Sequence, residues 1–270
     1  MTTPTDDLLA LFGKSLPQKG SRRGQTWIAL FGEGPGEVAN LLETGAAHID
    51  RAKLGYGSSL LTPWEALVRI LTMLREAEVI AYPGGTLVEM ALRHGRYPEF
   101  LAWAKQAGFT GIEVCDGVIE MSDQLRADTI KRAVDAGFKV NTVVQEVVRK
   151  PIVEVEPLAR RIERIGNDLA AGAEYAHIVL QAMARGETPS DVVGPIKGDQ
   201  VRKIVDSAPA DRLVWESLSG DDQLTYIRLL GKDVHLGHVT PRSVVQLAAH
   251  RTNFAYETFW SEVWGKPHWS

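Results

Sequence analysis

One cysteine, Cys115, is all that the 270 residues hold, so neither an intrachain disulfide nor a cysteine-built metal cluster can form. No Lys/Arg run with interleaved aromatics occurs and the formal net charge is -4, which argues against a polyanion-binding surface. No apolar run is long enough to span a bilayer, and Met1 to Asp7 lack a basic segment leading into an apolar stretch. The expected location is therefore the cytoplasm, and the expected partner is a small-molecule substrate, with no nucleic acid and no membrane. A Gly-x-Ser-x-Gly elbow and a phosphate-loop Gly-Lys-Ser/Thr signature are also missing. Gly32-Glu33-Gly34-Pro35-Gly36-Glu37 partly mimics a dinucleotide fingerprint. Glu37 stands where the third glycine belongs and would repel a pyrophosphate, so the stretch reads as a flexible loop and a possible lid.

What is present has a rhythm. With 44% hydrophobic and 24% charged residues, the chain buries a large core as one α/β barrel or as two smaller domains. Short apolar or β-branched runs alternate with turns rich in Gly, Thr, Pro or Asp and with longer segments of helical period. The expected strands are Thr26 to Phe31, His48 to Leu54, Val79 to Tyr82, Gly111 to Val114, Lys139 to Gln145, Tyr175 to Leu180, Arg212 to Glu216 and Asp233 to Leu236. Helix starts are expected at Thr62-Pro63 with Glu65, at Thr86 with Glu89, at Thr240-Pro241 and at Asp221. Gly108, Gly137, Gly172 and Gly231 fall where helices stop. Eight strand-turn-helix units predict a single (β/α)8 TIM barrel, with a doubly wound open sheet as the alternative. Residues 1–22 are expected to form a flexible lead-in, 23–252 the barrel, and 253–270 an extension. That extension carries Phe254, Tyr256, Phe259, Trp260, Trp264 and Trp269, and is expected to pack on the barrel or at the interface of a homo-oligomer.

In such a barrel the chemistry stands at the strand ends. Lys53 ends the second strand and the Gly84-Gly85 turn follows the third. Two glycines there permit a tight turn or a close approach to a ligand, and the following helix start suits a phosphate or carboxylate. Glu113 and Asp116 flank the end of the fourth strand, Glu146 then Arg149-Lys150 follow the fifth, Gln181 the sixth, Glu216 the seventh, and His235 with His238 the eighth. Three carboxylates and two lysines converging from separate strands would bind a divalent cation and an anionic substrate and leave one lysine for proton transfer. His235 and His238 lack the spacing of a zinc helix motif. Cys115 reads as a small buried thiol.

Together these strand ends resemble the phosphosulfolactate synthase family. The resemblance is carried by His48-Ile-Asp-Arg-Ala-Lys-Leu-Gly-Tyr-Gly-Ser-Ser59, Tyr82-Pro-Gly-Gly-Thr-Leu-Val-Glu89, Gly108-Phe-Thr-Gly-Ile-Glu-Val-Cys-Asp-Gly117 and Glu146 to Lys150. It implies a (β/α)8 barrel that joins sulfite to phosphoenolpyruvate with magnesium. By that resemblance Lys150 is the general acid, Lys53 and Glu113 complete the catalytic set, and Gly84, Gly85, Glu146, Gln181, Glu216 and His235 bind substrate. Glu113, Glu146 and Glu216 are the implied metal ligands. The chain departs from the family where Leu30-Phe31 replace Asp-Lys, where Gln181 to Arg185 lose two carboxylates, where Ser217 to Gly220 replace Ala-Pro-Gln-Lys, and where His235 and His238 replace asparagines. These losses leave open a repurposed enzyme for a bulkier, less anionic substrate, and a non-catalytic binding protein of the same fold.

Overall fold

The computed structural model describes residues 3–14, 19, 23–145, 147–149, 153–180, 182–183, 192–193 and 196–265, with 147–149, 153–155, 182–183 and 192–193 described by backbone alone. All eight expected strands are present: β1 (Thr26–Leu30), β2 (Arg51–Leu54), β3 (Ile80–Pro83), β4 (Gly111–Val114), β5 (Lys139–Gln145), β6 (Tyr175–Val179), β7 (Leu213–Glu216) and β8 (His235–Val239). Parallel pairing runs from β3 through β2 and β1 to β8, and on through β7, β6 and β5 to β4. The first strand thus bonds to the last, which an open doubly wound sheet does not allow. The seam between β3 and β4 is drawn in by Thr110, whose N–H donates to the Ala81 carbonyl at 3.1 Å and whose Oγ1 accepts the Ala81 N–H at 3.2 Å. The molecule is a (β/α)8 barrel.

The pleat of each strand divides its side chains between two environments. Ile28, Leu30, Ile112, Val140, Ile178, Trp215 and Leu236 belong to the large buried cluster shared with the helices. Trp27, Tyr82, Tyr175 and Val214 form a separate small cluster inside the barrel. Both faces of every strand are therefore covered, which is why these runs read as continuously apolar. At the N-terminal end the Arg51 guanidinium plugs the interior, 4.7 Å over the Trp27 ring and 4.8 Å over Tyr175, and pairs with Glu174 at 2.5 Å.

The strand termini carry the departures from regularity that matter for the site. Between Thr26 and Ile28 on β1 the partner residues on β8 run from Leu236 to Val239, so β8 holds one extra residue, a β-bulge. His238 takes up the bulge with a left-handed φ of 59°, and its ring turns inward. After β5 and β6 the chain forms two short antiparallel pairs, Val147–Arg149 with Val153–Val155 and Ala182–Met183 with Val192–Val193.

Local cap signals were partly overruled by tertiary partners. Thr86 is the first residue of helix Thr86–Arg93 and not its cap. The Glu89 carboxylate instead accepts the Val118 and Ile119 N–H groups, both at 2.7 Å. Thr62 Oγ1 donates to the Ser58 carbonyl at 2.8 Å and closes the short helix Ser58–Leu61, while Pro63 stands at the N-cap of helix Trp64–Glu76. Ser219 with Asp222, not Asp221, forms the capping box of helix Gly220–Leu230. Thr240 does precede Pro241 as the start of a short 3-10 turn, and Gly108 and Gly231 stop their helices with φ of 103° and 88°. Only the first half of the Gly32 to Glu37 stretch is a loop: Pro35 opens helix Pro35–Gly45, and Glu37 accepts the Gly34 N–H at 2.8 Å.

Helix Tyr256–Trp264 leaves Tyr256, Phe259, Val263 and Trp264 exposed, and Lys14, just past helix Pro4–Leu11, pairs with its Glu262 at 2.7 Å. Among the described residues no helix is long and apolar enough to cross a membrane.

Candidate active site

Lys53 and Glu113, from β2 and β4, meet over the interior with Nζ 2.8 Å from Oε1. The same oxygen accepts the Gly85 N–H at 2.9 Å. Close approach explains both glycines of the turn after β3. A β-carbon on Gly85 would fall 2.6 Å from Cys115 Cβ and 3.2 Å from Glu113 Oε1, and one on Gly84 would stand 3.4 Å from Lys53 Cε. Neither glycine has a left-handed φ, so contact and not turn geometry requires them here.

Burial by itself would lower the Lys53 pKa and raise that of Glu113. Each is outweighed by the other's charge and hydrogen bond, so Lys53 ends above its ordinary value and Glu113 below. Both are ionised at neutral pH. The second oxygen, Glu113 Oε2, is buried and has no hydrogen-bond partner among the described residues.

Glu216, from β7, is held by the bulged strand. Its Oε2 stands 2.9 Å from His238 Nδ1 and 3.7 Å from His177 Nε2. Burial works to raise the Glu216 pKa, but His238, by charge and hydrogen bond, and then His177 and Lys53 bring it down to about 2. His177 is fully enclosed, and burial takes it down to about 4 against the pull of Glu216. Neither of its ring nitrogens, nor the Asn141 amide below it, has a hydrogen-bond partner among the described residues. The barrel floor is thus a set of polar atoms left open by the protein itself.

Around this floor the rim is aromatic. Phe31, just past β1, lies 5.0 Å from the Tyr56 ring and 5.8 Å from His238. Tyr56 is left-handed at φ 50°, and partial burial, opposed by Lys53 and helped by Glu216, raises its hydroxyl pKa. Leu30 is turned away into the helix-facing core; of the two apolar residues that end β1, only Phe31 reaches the rim.

The expected site residues separate into three groups. Lys53, Glu113, Gly84, Gly85 and Glu216 come together. Lys150, Glu146 and Gln181 lie outside the described residues. His235 does not belong: its Nδ1 accepts the Gln25 N–H at 3.1 Å and its Nε2 lies 3.1 Å from the Asp211 carbonyl, at the N-terminal end of the barrel, because it begins β8 and does not end it. Asp116 is withdrawn as well, ion-paired to Arg126 at 3.1 Å and Arg164 at 2.6 Å. Cys115 is half-buried, and enclosure together with Glu89 and Glu113 pushes its thiol pKa up, which keeps it protonated and inert. His177 was not among the expected residues. Its signal was available, since it is the polar member of an inward-facing set, Tyr175, His177 and Val179, spaced two apart.

Among the described residues no group of three or more His, Cys, Asp or Glu is placed to hold a metal ion. Glu216 Oε2 is taken by His238, whereas Glu113 Oε2 is a buried carboxylate oxygen with no hydrogen-bond partner among the described residues. Two hollows lie away from this floor. One of about 510 Å³ is lined by Arg51, Glu174 and Asp211 at the opposite mouth, and one of about 580 Å³ runs between helices Pro35–Gly45 and Val244–Thr252.

Comparison with known proteins places the chain in a family. A family model described as (2R)-phospho-3-sulfolactate synthase matches residues 14–257. The phosphosulfolactate synthase of Methanothermobacter thermautotrophicus is 29% identical over 248 residues, covering 90% of this chain and 94% of that protein. That of Methanocaldococcus jannaschii is 28% identical over 238 residues, covering 88% and 94%. Among solved structures, the YdjI aldolase of Escherichia coli K12 superposes with a TM-score of 0.52 at 12% identity, covering 92% of this chain and 93% of that one, a likeness of fold alone. With a match that spans the whole barrel, this chain belongs to the phosphosulfolactate synthase family of enzymes.

Proposed function

We propose that the protein adds a nucleophile such as sulfite to the methylene carbon of phosphoenolpyruvate or a related enol, with Lys150 as general acid. The observation that carries this reading is the Lys53–Glu113–Gly85 arrangement, a buried ammonium fixed at the C-terminal ends of the strands. A substrate carboxylate beside Lys53 would be held there by a charge-assisted contact in a low-dielectric site. The sulfur lone pair forms the carbon–sulfur bond, the double-bond electrons move onto the carboxylate, and a proton from Lys150 is delivered to the adjacent carbon. The phosphate stays on the product. Lys53 opposes the charge that develops on the carboxylate, and Lys150, neutral once it has given up its proton, regains one from solvent before the next turnover.

In this reading magnesium would be held by Glu113 Oε2, a buried oxygen without a partner among the described residues, with Glu146 and Glu216 as the other carboxylates of the proposed set. Magnesium commonly takes one or two protein carboxylates and completes its shell with substrate oxygens and water. Bound there it would add positive charge beside the substrate carboxylate.

Incubation of the full chain with sulfite, phosphoenolpyruvate and magnesium, followed by phosphorus NMR, is the test. A sulfonated phospholactate should accumulate, and Lys150→Ala should slow it by roughly 100-fold or more, the usual contribution of a general acid. If the wild-type chain yields no adduct, the reading is wrong.

A further inference from the structure

β8 breaks register with β1 at His238, and the break is strained. A φ of 59° is unfavourable for any residue with a β-carbon, and a bulge of this kind re-aims a side chain. The His238 ring lies 5.8 Å from Phe31 at the rim and 6.0 Å from the enclosed His177. Its Nδ1 is taken by Glu216 at 2.9 Å. That carboxylate is ionised and can only accept, so Nδ1 carries a proton. Nε2 stands on the far side of the ring and has no hydrogen-bond partner among the described residues. It is not sealed in, since the His238 side chain keeps 18% of its surface against 1% for His177. A strained backbone thus presents an open ring nitrogen beside the charged floor.

Register relates this nitrogen to Lys53. β1 pairs with β8 on one side, with Val239 opposite Ile28, and with β2 on the other, with Lys53 opposite Ala29. His238 and Lys53 therefore flank the same strand near its C-terminal end, and the charge of Lys53 reaches the Glu216 that holds the ring. β1 itself ends in Leu30 and Phe31 and brings no charge between them. From β2 through β1, His238 is the next side chain able to donate to a second anionic group. The connections after the seventh and eighth strands are a frequent phosphate position in barrels of this kind. His238 belongs to the eighth strand and Glu216 to the seventh.

We propose that His238 Nε2 binds the phosphate of the substrate, as the second anion contact of the site whose carboxylate contact is Lys53. With Nδ1–H on Glu216 and Nε2–H on the phosphate, the ring lies as a cation between two anions, and each of its donors has an acceptor. The inference rests on the addition reaction above in taking Lys53 as the carboxylate site. It narrows the substrate class to an acid with a phosphate ester on the adjacent carbon, and sets aside a bare enol or keto acid, which would leave Nε2 without an acceptor.

The test uses two acids that differ by the phosphate alone. Phosphoglycolate and glycolate are titrated calorimetrically into the full-length protein. Phosphoglycolate should bind more tightly, and in His238→Gly the ratio of the two dissociation constants should fall by about tenfold or more, the loss of one hydrogen bond between charged groups. A purely structural effect would weaken both acids together and leave the ratio where it was. Glycine adopts the left-handed φ freely, so this substitution does not strain the bulge. His238→Asn, which tolerates the same conformation and keeps a neutral donor, should lower the ratio less. A wild type that binds neither acid, or both equally, overturns the proposal, as does a ratio that survives in both variants. The sulfite assay separates the two readings. A phosphate preference that depends on His238, without any adduct, leaves this contact standing and removes the addition reaction, whereas adduct formation with an unchanged ratio does the reverse.

Discussion

Lys53 Nζ and the backbone N–H of Gly85 converge on one oxygen, Glu113 Oε1, at 2.8 and 2.9 Å. One strand end supplies the cation, the next the amide, and a third the carboxylate, so three βα connections are tied through a single atom. Glu113 is 1% exposed. Removing its cation leaves a carboxylate in the interior with only an amide to meet it.

Lys53→Met is therefore expected to cost about 3–5 kcal/mol in urea denaturation, the usual result of orphaning one member of a buried pair. Lys53→Met combined with Glu113→Leu should recover much of that loss, because two apolar side chains replace the pair at similar volume. If the single variant keeps the wild-type midpoint, the pair does not hold the site together.

Much of this was legible in the sequence, and the reason is periodicity. The eight strands and the Gly84-Gly85 turn follow from apolar runs and punctuation, which local sterics enforce. The caps at Thr86 and Asp221 failed because Glu89 reaches the Val118 and Ile119 amides and Ser219 stands one turn position earlier, choices that only the folded chain can set. His235 was assigned to the wrong end because β8 runs three residues beyond Leu236, through a bulge at His238. A bulge changes which residue ends a strand without leaving a mark on hydropathy. His177 leaves a fainter mark, a single polar interruption at an inward position two residues from Tyr175 and Val179 in an otherwise apolar run.

Arg126 shows a charge that sequence reading passes over as an exposed helix residue. It is buried, with Nε and Nη2 donating to the two Asp168 oxygens at 2.7 Å each, Nη1 to Asp116 at 3.1 Å and Nη2 to the Val143 carbonyl at 3.0 Å. Arg126→Met should destabilise the barrel by about 3–5 kcal/mol, because Asp168 is left as a buried carboxylate without a cation while Asp116 keeps Arg164. Arg126→Lys should recover only part of this, since one ammonium cannot span the same fork. Equal stability of the Lys variant and the wild type in chemical denaturation would refute the forked role.

His177 sets an acid limit on the fold. The folded ring is held neutral with a pKa of about 4, so as pH falls below 6.5 the unfolded chain takes the proton first. The contribution is complete above the unfolded value and is lost on the way down to about 4. A gap of about 2.5 units amounts to roughly 3 kcal/mol. Glu216, depressed to about 2, and Glu113, also depressed, begin to lose their own contributions only below their ordinary 4.5. The other histidines with lowered values, His48, His235 and His250, act in the same direction and are unchanged in His177→Gln. The wild type should therefore lose stability more steeply than His177→Gln between pH 6.5 and 4.5 in thermal melts. Parallel curves would mean that the ring is not held neutral.

His238 combines strain with a charged contact, and the two can be separated by substitution. Its left-handed φ of 59° penalises any β-carbon, while its ring meets Glu216 at 2.9 Å. His238→Gly removes the strain and the contact, His238→Ala removes the contact alone, and His238→Asn keeps a short donor in a residue that tolerates this conformation. The loss of a hydrogen bond to a charged group should cost Ala about 1.5–3 kcal/mol. Gly should exceed Ala by about 1–2 kcal/mol, the left-handed penalty, and Asn should lie closest to the wild type. An Ala variant as stable as the wild type would show that Glu216 gains nothing from the ring. A Gly variant no better than Ala would show that the bulge carries no strain and that the His238 backbone follows from strand pairing alone.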